Sequence, residues 1–181
     1  MITVSRTKRW EIPRMFLLYR NAFPRSERKP FPRITSMAKA GRADLWTIRM
    51  DGRFAGLAAT VNGPDIVLLD YFAVKRSLRG RGVGSSALLQ LERAYADRGF
   101  FVEIESTLEE ADNREQRERR KGFYVNCGMV PMNTEADVFG VRMELLGCRC
   151  MLDFAAYKAF YVNFYTKLAE KHVNPVKEEA P

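Results

Sequence analysis

A single histidine and three cysteines serve the whole of this 181-residue chain. His172 stands in the polar C-terminal stretch, so triads built on histidine and His-based metal sites lack their material. Cys127, Cys148 and Cys150 are an odd number without zinc-ligand spacing, which argues against a disulfide framework. The Cys148-Arg149-Cys150 pair reads as packing at a strand end rather than chemistry. No apolar run approaches the ~20 residues needed to span a bilayer, so no membrane partner is expected. Met1 to Arg9 lacks the apolar core of a secretory leader, and the expected location is the cytoplasm. Repeats, internal linkers and low-complexity segments are missing too.

Acid is the scarcer charge, with 22 Asp and Glu against 30 Lys and Arg, for a net charge of +8. Such an excess suits an anionic partner. Yet no RNA-binding signature of the K/R-G-F-G-F-V-x-F kind is present. Arg114, Arg117, Arg119, Arg120 and Lys121 are interleaved with Glu115 and Glu118, the pattern of a solvated helix face. A nucleic-acid partner is therefore not expected. The chain is 46% hydrophobic and 29% charged, the balance of a globular protein. Its length implies one domain over residues 1–173, able to remove about two-thirds of its unfolded surface, with a disordered tail over 174–181. With neither metal nor histidine to call on, chemistry falls to carboxylates, tyrosines, backbone donors and a bound cofactor.

The most informative stretch is an apolar strand, a basic glycine-rich turn and an amphipathic helix. The strand runs from Asp65 to Val74, and the turn is Lys75-Arg76-Ser77-Leu78-Arg79-Gly80-Arg81-Gly82-Val83-Gly84-Ser85. Backbone N–H groups at a helix N-terminus cradle anions, and glycines let a phosphate approach the backbone. Four basic residues, Lys75, Arg76, Arg79 and Arg81, reinforce that cradle. A Walker-type loop is excluded because no Lys-Ser or Lys-Thr follows these glycines. Gly82 to Ala87 satisfies the dinucleotide pattern G-x-G-x-x-A, with Glu103 and Glu105 roughly 20 residues on. In that fold the first glycine sits at the strand end, whereas Lys75 to Arg81 intervene here. The third pattern is Arg-x-x-Gly-x-Gly, read from Arg79 through Gly82 to Gly84.

That last pattern resembles the acetyl-coenzyme A signature of the GNAT N-acetyltransferases. Tyr71-Phe72-Ala73-Val74 resembles the family's central strand, and Arg119 to Met129 its R-x-x-F-Y-x-x-x-G-F segment, with Met129 in place of an aromatic. Ala22 to Phe31 and Phe139 to Leu146 are similar to an uncharacterised bacterial subgroup. The resemblance implies an α/β fold, with a mixed, mostly antiparallel central sheet flanked by helices and closed by a C-terminal helix. It implies acetyl-CoA as cofactor and direct transfer, in a ternary complex, to the primary amine of a small molecule or peptide. A homodimer is compatible with it. A catalytically silent module binding coenzyme A or RNA is the alternative, and a dinucleotide oxidoreductase a distant third.

Site residues follow from the same resemblance. Backbone at Phe72, Ala73 and Val74 is expected at the acyl carbonyl and pantetheine, where a preorganised donor stabilises an oxyanion. The backbone of Arg79, Gly80, Arg81, Gly82, Val83, Gly84 and Ser85 is assigned to the pyrophosphate, and Asn113 to the pantetheine. Tyr124 is expected to be the general acid toward the departing thiolate, or else a core partner of Phe123. Deprotonating a lysine-like amine calls for a base. Asp70, the only charge inside the run 66–74, and Glu105 are the candidates, with Glu27 behind them. Each has a structural alternative: a hydrogen-bonded carboxylate at Asp70, a solvated face at Glu103 and Glu105, an arginine pair at Glu27.

Periodicity predicts the remaining elements. A strand is expected over 2–8, helices over 11–20 and 32–40, and a hairpin of 45–50 with 54–61 across Asp51-Gly52. Beyond the central strand come a helix over 82–98, a strand over 100–105, a helix over 115–126 and strands over 130–133 and 141–146. Phe154, Tyr157, Tyr161, Phe164, Tyr165 and Leu168 predict one C-terminal helix over 153–169.

Overall fold

The computed structural model describes residues 1–25 and 27–176. Among them the order is β1 (Ile2–Arg6), α1 (Ile12–Ala22), α2 (Phe31–Lys39), β2 (Ala43–Met50), β3 (Arg53–Asn62), β4 (Ile66–Val74) and α3 (Val83–Ala94). There follow β5 (Gly99–Glu105), α4 (Arg114–Asn126), β6 (Val130–Val138), β7 (Val141–Cys148), α5 (Phe154–Phe160), α6 (Ala169–His172) and β8 (Val173–Pro175). This is the expected mixed α/β class, with strand pairing that is mostly antiparallel. The chain divides into two compact units: Met1–Asn62 with Leu69–Ala96, and Gly63–Leu68 with Asp97–Pro181. The division passes through β4 itself, after Leu68.

In the first unit β1, β2 and β3 form antiparallel neighbours, with Ile2 opposite Met50 and Ala43 opposite Val61. Met50 and Arg53 close the second pair across Asp51 and Gly52, both at positive φ. That is the primed turn an Asp-Gly pair favours, and it fixes the register. Met15, Tyr19 and Ile34 from α1 and α2 pack on Leu45, Leu57, Ala59, Tyr71 and Ala73. A second cluster joins Ile48, Ala55 and Val74 to Val83 and Ala87 of α3. Each of these large aliphatic side chains contributes about 1.5–3 kcal/mol by leaving water. The helix expected to reach Arg98 stops at Ala94, because Tyr95 turns into the interior. There its hydroxyl donates to Asp44 Oδ2 at 2.6 Å and receives the indole N–H of Trp46 at 3.2 Å.

Glu11 is a deeply buried acid of this unit, 2% exposed. Its carboxylate pairs with Arg49 and accepts from the Lys8 amide at 2.9 Å and the Thr47 hydroxyl at 3.3 Å. Removing one partner of a buried pair strands the other charge, at about 3–5 kcal/mol. Glu11→Ala is therefore expected to lower the Tm by roughly 6–20 °C, measured by thermal unfolding. A loss under about 2 °C would show Arg49 to be solvated in its absence.

In the second unit β5 pairs with β7, β7 with β6, and β6 with β8, all antiparallel. β6 continues to Val138 rather than stopping at Asn133, because Asn133 takes φ +53 and the register shifts between Pro131 and Glu135. Alternation breaks at that bulge, so the pattern ends before the strand does. The single C-terminal helix is corrected as well. α5 gives way to a wider π turn over Tyr161–Tyr165, Thr166 is extended, and α6 is one turn long. Thr166 N–H closes the π turn on the Tyr161 carbonyl at 2.8 Å. Within this stretch Tyr157, Phe160, Tyr161 and Tyr165 are all buried, and the Tyr161 hydroxyl donates to Glu103 at 2.7 Å.

The chain beyond is not a tail from residue 174. Val173–Pro175 form β8 against Ala136–Val138, and 177–181 lie outside the described residues. His172 ends α6 with its ring stacked on Phe139 at 5.0 Å. Cys148 ends β7 and the Cys150 thiol donates to the Phe100 carbonyl at 3.6 Å, the strand-end packing expected of that pair. Among the described residues no helix is long and apolar enough to cross a membrane.

Candidate active site

The glycine turn lies wholly in the first unit, between β4 and α3. Gly80 and Gly82 take φ +73 and +71, a left-handed backbone that residues with a Cβ adopt only under strain. Gly82 caps α3, and the first helical bond is Ser86 N–H to the Gly82 carbonyl at 3.0 Å. The backbone N–H groups from Gly80 to Ser85 donate to no described residue. Six successive donors at the positive end of a twelve-residue helix form an anion cradle. Space around them is open, since a Cβ built on Gly80 or Gly82 meets nothing within 4 Å. The Arg79 side chain folds back, its Nε donating to the Val74 carbonyl at 3.2 Å. These features suit a diphosphate.

β4 is fixed next to this cradle. Phe72 and Val74 pack with Val83 and Ala87 of α3, while Tyr71 and Ala73 belong to the α1–α2 cluster. Gly56 on β3 lets β4 come close: a Cβ there would stand 2.5 Å from the Ala73 carbonyl. Asp70 is joined to Lys29, with Nζ to Oδ1 at 2.7 Å. Lys29 also lies over the Tyr71 ring at 5.5 Å. Its amide donates to the Tyr71 hydroxyl at 3.1 Å, and that hydroxyl donates to the Glu27 carbonyl at 3.0 Å. Burial raises the pKa of Tyr71 far above the usual phenol range, so it stays protonated. Nothing local marks Lys29 as the partner of Asp70, 41 positions away.

The other candidates lie in the second unit. Glu105, the last residue of β5, receives Arg117 at 3.2 Å on one oxygen. Its other oxygen receives Arg120 at 3.4 Å and the Asn113 amide at 3.4 Å. Asn113 Oδ1 in turn accepts from Arg117 Nε at 2.8 Å. Glu105 and Asn113 are thus brought together, clamped to the start of α4, rather than lying on a solvated face. Tyr124 sits one turn beyond Arg120 and is 6% exposed. Its ring meets Phe123 edge-on at 5.1 Å, as the core reading expects, yet its hydroxyl hydrogen-bonds to no described residue. Burial pushes its pKa up to about 12 against the opposing pull of Arg120.

The model of the acetyltransferase (GNAT) family matches residues 12–129, and the chain belongs to that family. Its class of reaction is acetyl transfer from acetyl-CoA. The fold is similar to that of a GNAT-family protein from Bacteroides thetaiotaomicron, at TM-score 0.74 and 18% identity, covering 91% of this chain and 99% of that one. It is also similar to the ribosomal-protein-S18-alanine N-acetyltransferase of Escherichia coli, at TM-score 0.63 and 15% identity over 84% and 96% of the two chains. A third similar structure is the spermidine N-acetyltransferase of Vibrio cholerae in complex with CoA and spermine, at 0.64 and 9% over 81% and 94%. Identities this low carry the fold alone. No curated protein matches the sequence.

Proposed function

We propose that the protein is an N-acetyltransferase moving the acetyl group of acetyl-CoA directly to a primary amine of a small molecule or peptide. The observation that carries this reading is the row of undonated N–H groups from Gly80 to Ser85 beside two left-handed glycines. Bound acetyl-CoA supplies an activated thioester carbonyl. The backbone from Arg79 to Ser85 holds the diphosphate, and the backbone of Phe72, Ala73 and Val74 aligns the pantetheine arm and acyl oxygen. Tyr124 donates a hydrogen bond to the departing sulfur. Asn113 is kept for the start of α4 by its bonds to Glu105 and Arg117.

Asp70, paired with the Lys29 ammonium, and Glu105, paired with Arg117 and Arg120, are the two candidates for the base. The task is substantial, since keeping a lysine-like amine neutral at pH 7 costs about 4–5 kcal/mol.

Thermal unfolding with acetyl-CoA, with NADH and with neither tests the cofactor. At 100 times the dissociation constant a ligand adds ~2.7 kcal/mol, a shift of roughly 5–10 °C. Only acetyl-CoA is expected to give it. Thiol release with a panel of amines, including spermidine and a peptide with N-terminal alanine, then tests transfer. A cofactor-induced shift without thiol release from any of them would put a silent binding module in place of the enzyme.

A further inference from the structure

Resting on the acetyl-transfer reading above, we propose a subsite for the acceptor's primary ammonium group, formed by the Asp70 carboxylate and the Tyr71 ring. Lys29 occupies this subsite until the acceptor displaces it.

The two groups that meet Lys29 Nζ are those that recognise an alkylammonium ion. Asp70 Oδ1 stands 2.7 Å from it, and the centre of the Tyr71 ring 5.5 Å. A carboxylate accepts a charged hydrogen bond, and an aromatic ring within about 6 Å adds cation–π attraction. The ring is held in place, because Tyr19 and Phe23 meet it in T-shaped contacts at 4.8 and 4.9 Å.

Charge balance explains why the chain fills the subsite itself. The Asp70 side chain is 9% exposed and lies in an otherwise apolar strand, where a carboxylate without a counter-charge is costly. Lys29 supplies that charge, yet its side chain is 31% exposed and has solvent to move into. The pair of Glu11 with Arg49 is more deeply buried and has no such exit. The Lys29 backbone does not need to follow its side chain. Its amide donates to Tyr71 Oη at 3.1 Å, and its carbonyl accepts from Tyr19 Oη at 2.9 Å. Asp70 precedes Phe72 by two positions, about 7 Å along β4, and the Phe72 backbone is the one proposed to align the acyl oxygen. An ammonium that replaces Lys29 is thus delivered beside the thioester. Lys29 itself, as a tethered competitor, acts at an effective concentration of order millimolar.

Two measurements on the intact protein test the subsite with n-propylammonium, the fragment that Lys29→Ala deletes. In thermal unfolding without cofactor, Lys29→Ala is expected to lose at least about 3 °C. Adding n-propylammonium chloride is expected to raise its Tm by at least about 3 °C over equimolar sodium chloride. The double variant Lys29→Ala, Asp70→Asn is expected to show no such selective rise. In thiol release with acetyl-CoA and n-propylamine, Lys29→Ala is expected to lower KM for the amine at least about tenfold. Lys39→Ala removes an exposed charge from the same unit and is expected to leave that KM unchanged. Should Lys29→Ala fail to fold, Lys29→Met, which retains an apolar stem, is expected to give the same fall in KM. A Tm of Lys29→Ala that does not respond selectively overturns the proposal, as does a rise that persists in the double variant. An unchanged KM also overturns it, leaving the Lys29–Asp70 pair a structural one, and an equal fall in Lys39→Ala would trace the effect to net charge instead. A selective rise with no thiol release from any amine upholds the ammonium subsite and overturns the transferase reading.

Discussion

Tyr124→Phe is expected to lower kcat by about 100-fold while leaving the affinity for acetyl-CoA unchanged. The side chain is buried, and its hydroxyl has no protein partner among the described residues, so the fold does not depend on the oxygen. Losing it should leave the Tm within about 2 °C, because the ring contact with Phe123 remains. Under the proposed role, the chemistry is expected to depend on it. With a pKa near 12 the phenol is protonated throughout the neutral range. Handing a full proton to a thiolate whose conjugate acid has a pKa of ~8.5 would be uphill by about 5 kcal/mol. A donated hydrogen bond has no such cost, and it acts where negative charge grows on sulfur.

The proton-counting consequence is specific. Because burial raises this pKa, the phenol adds no descending limb to the pH–rate profile until about pH 12. The measurement is kcat and KM by thiol release, for wild type and variant, across neutral and alkaline pH. An unchanged kcat would return Tyr124 to the core, as a packing partner of Phe123 and nothing more.

Gly82→Val is expected to abolish acetyl-CoA binding while leaving the protein folded. At φ +71 a side chain costs about 1–2 kcal/mol of backbone strain, more for a branched one. No atom lies within 4 Å of the new Cβ, so the unliganded protein has room for it. The valine methyl groups would instead stand among the N–H donors that open α3. The dissociation constant should rise at least about 100-fold, enough to erase the ligand-induced shift. Gly41→Val is the control. Gly41 has φ +72 and equally open surroundings, but it lies in the turn before β2. It should lose similar stability and keep the full shift. A full shift with Gly82→Val as well would remove the cofactor from this turn.

What could be seen in the sequence depended on how far apart the deciding residues lie. The Asp51-Gly52 hairpin and the Arg79–Gly84 pattern are local: each is set by backbone demands within a few positions. The stop of α3 is not local, for Tyr95 leaves the helix to reach Asp44 and Thr60, 51 and 35 positions back. The aromatic spacing over 153–169 identified the buried Tyr157, Tyr161 and Tyr165 correctly, but Leu168 is exposed. It could not separate an α turn from the wider π turn at Tyr161–Tyr165, where every i to i+4 pair still lies on one side. Among the site residues, the cradle was legible because glycine and arginine at fixed offsets state a backbone geometry. The engagement of Asp70 by Lys29 was hidden, since a lone carboxylate in an apolar run says that a partner exists without saying which.

The three residues of β8 have a consequence for solubility. Val173–Pro175 cover the hydrogen-bonding edge of β6 at Ala136–Val138. An uncovered strand edge recruits strands from other molecules. Pro175, which has no N–H to offer, is a poor template for a further strand on its outer side. A chain lacking residues 173–176 would keep the glycine cradle and Tyr124 but present bare β6 carbonyls and amides to its neighbours. Such a chain would be lost first to self-association at high concentration, before its catalytic chemistry failed.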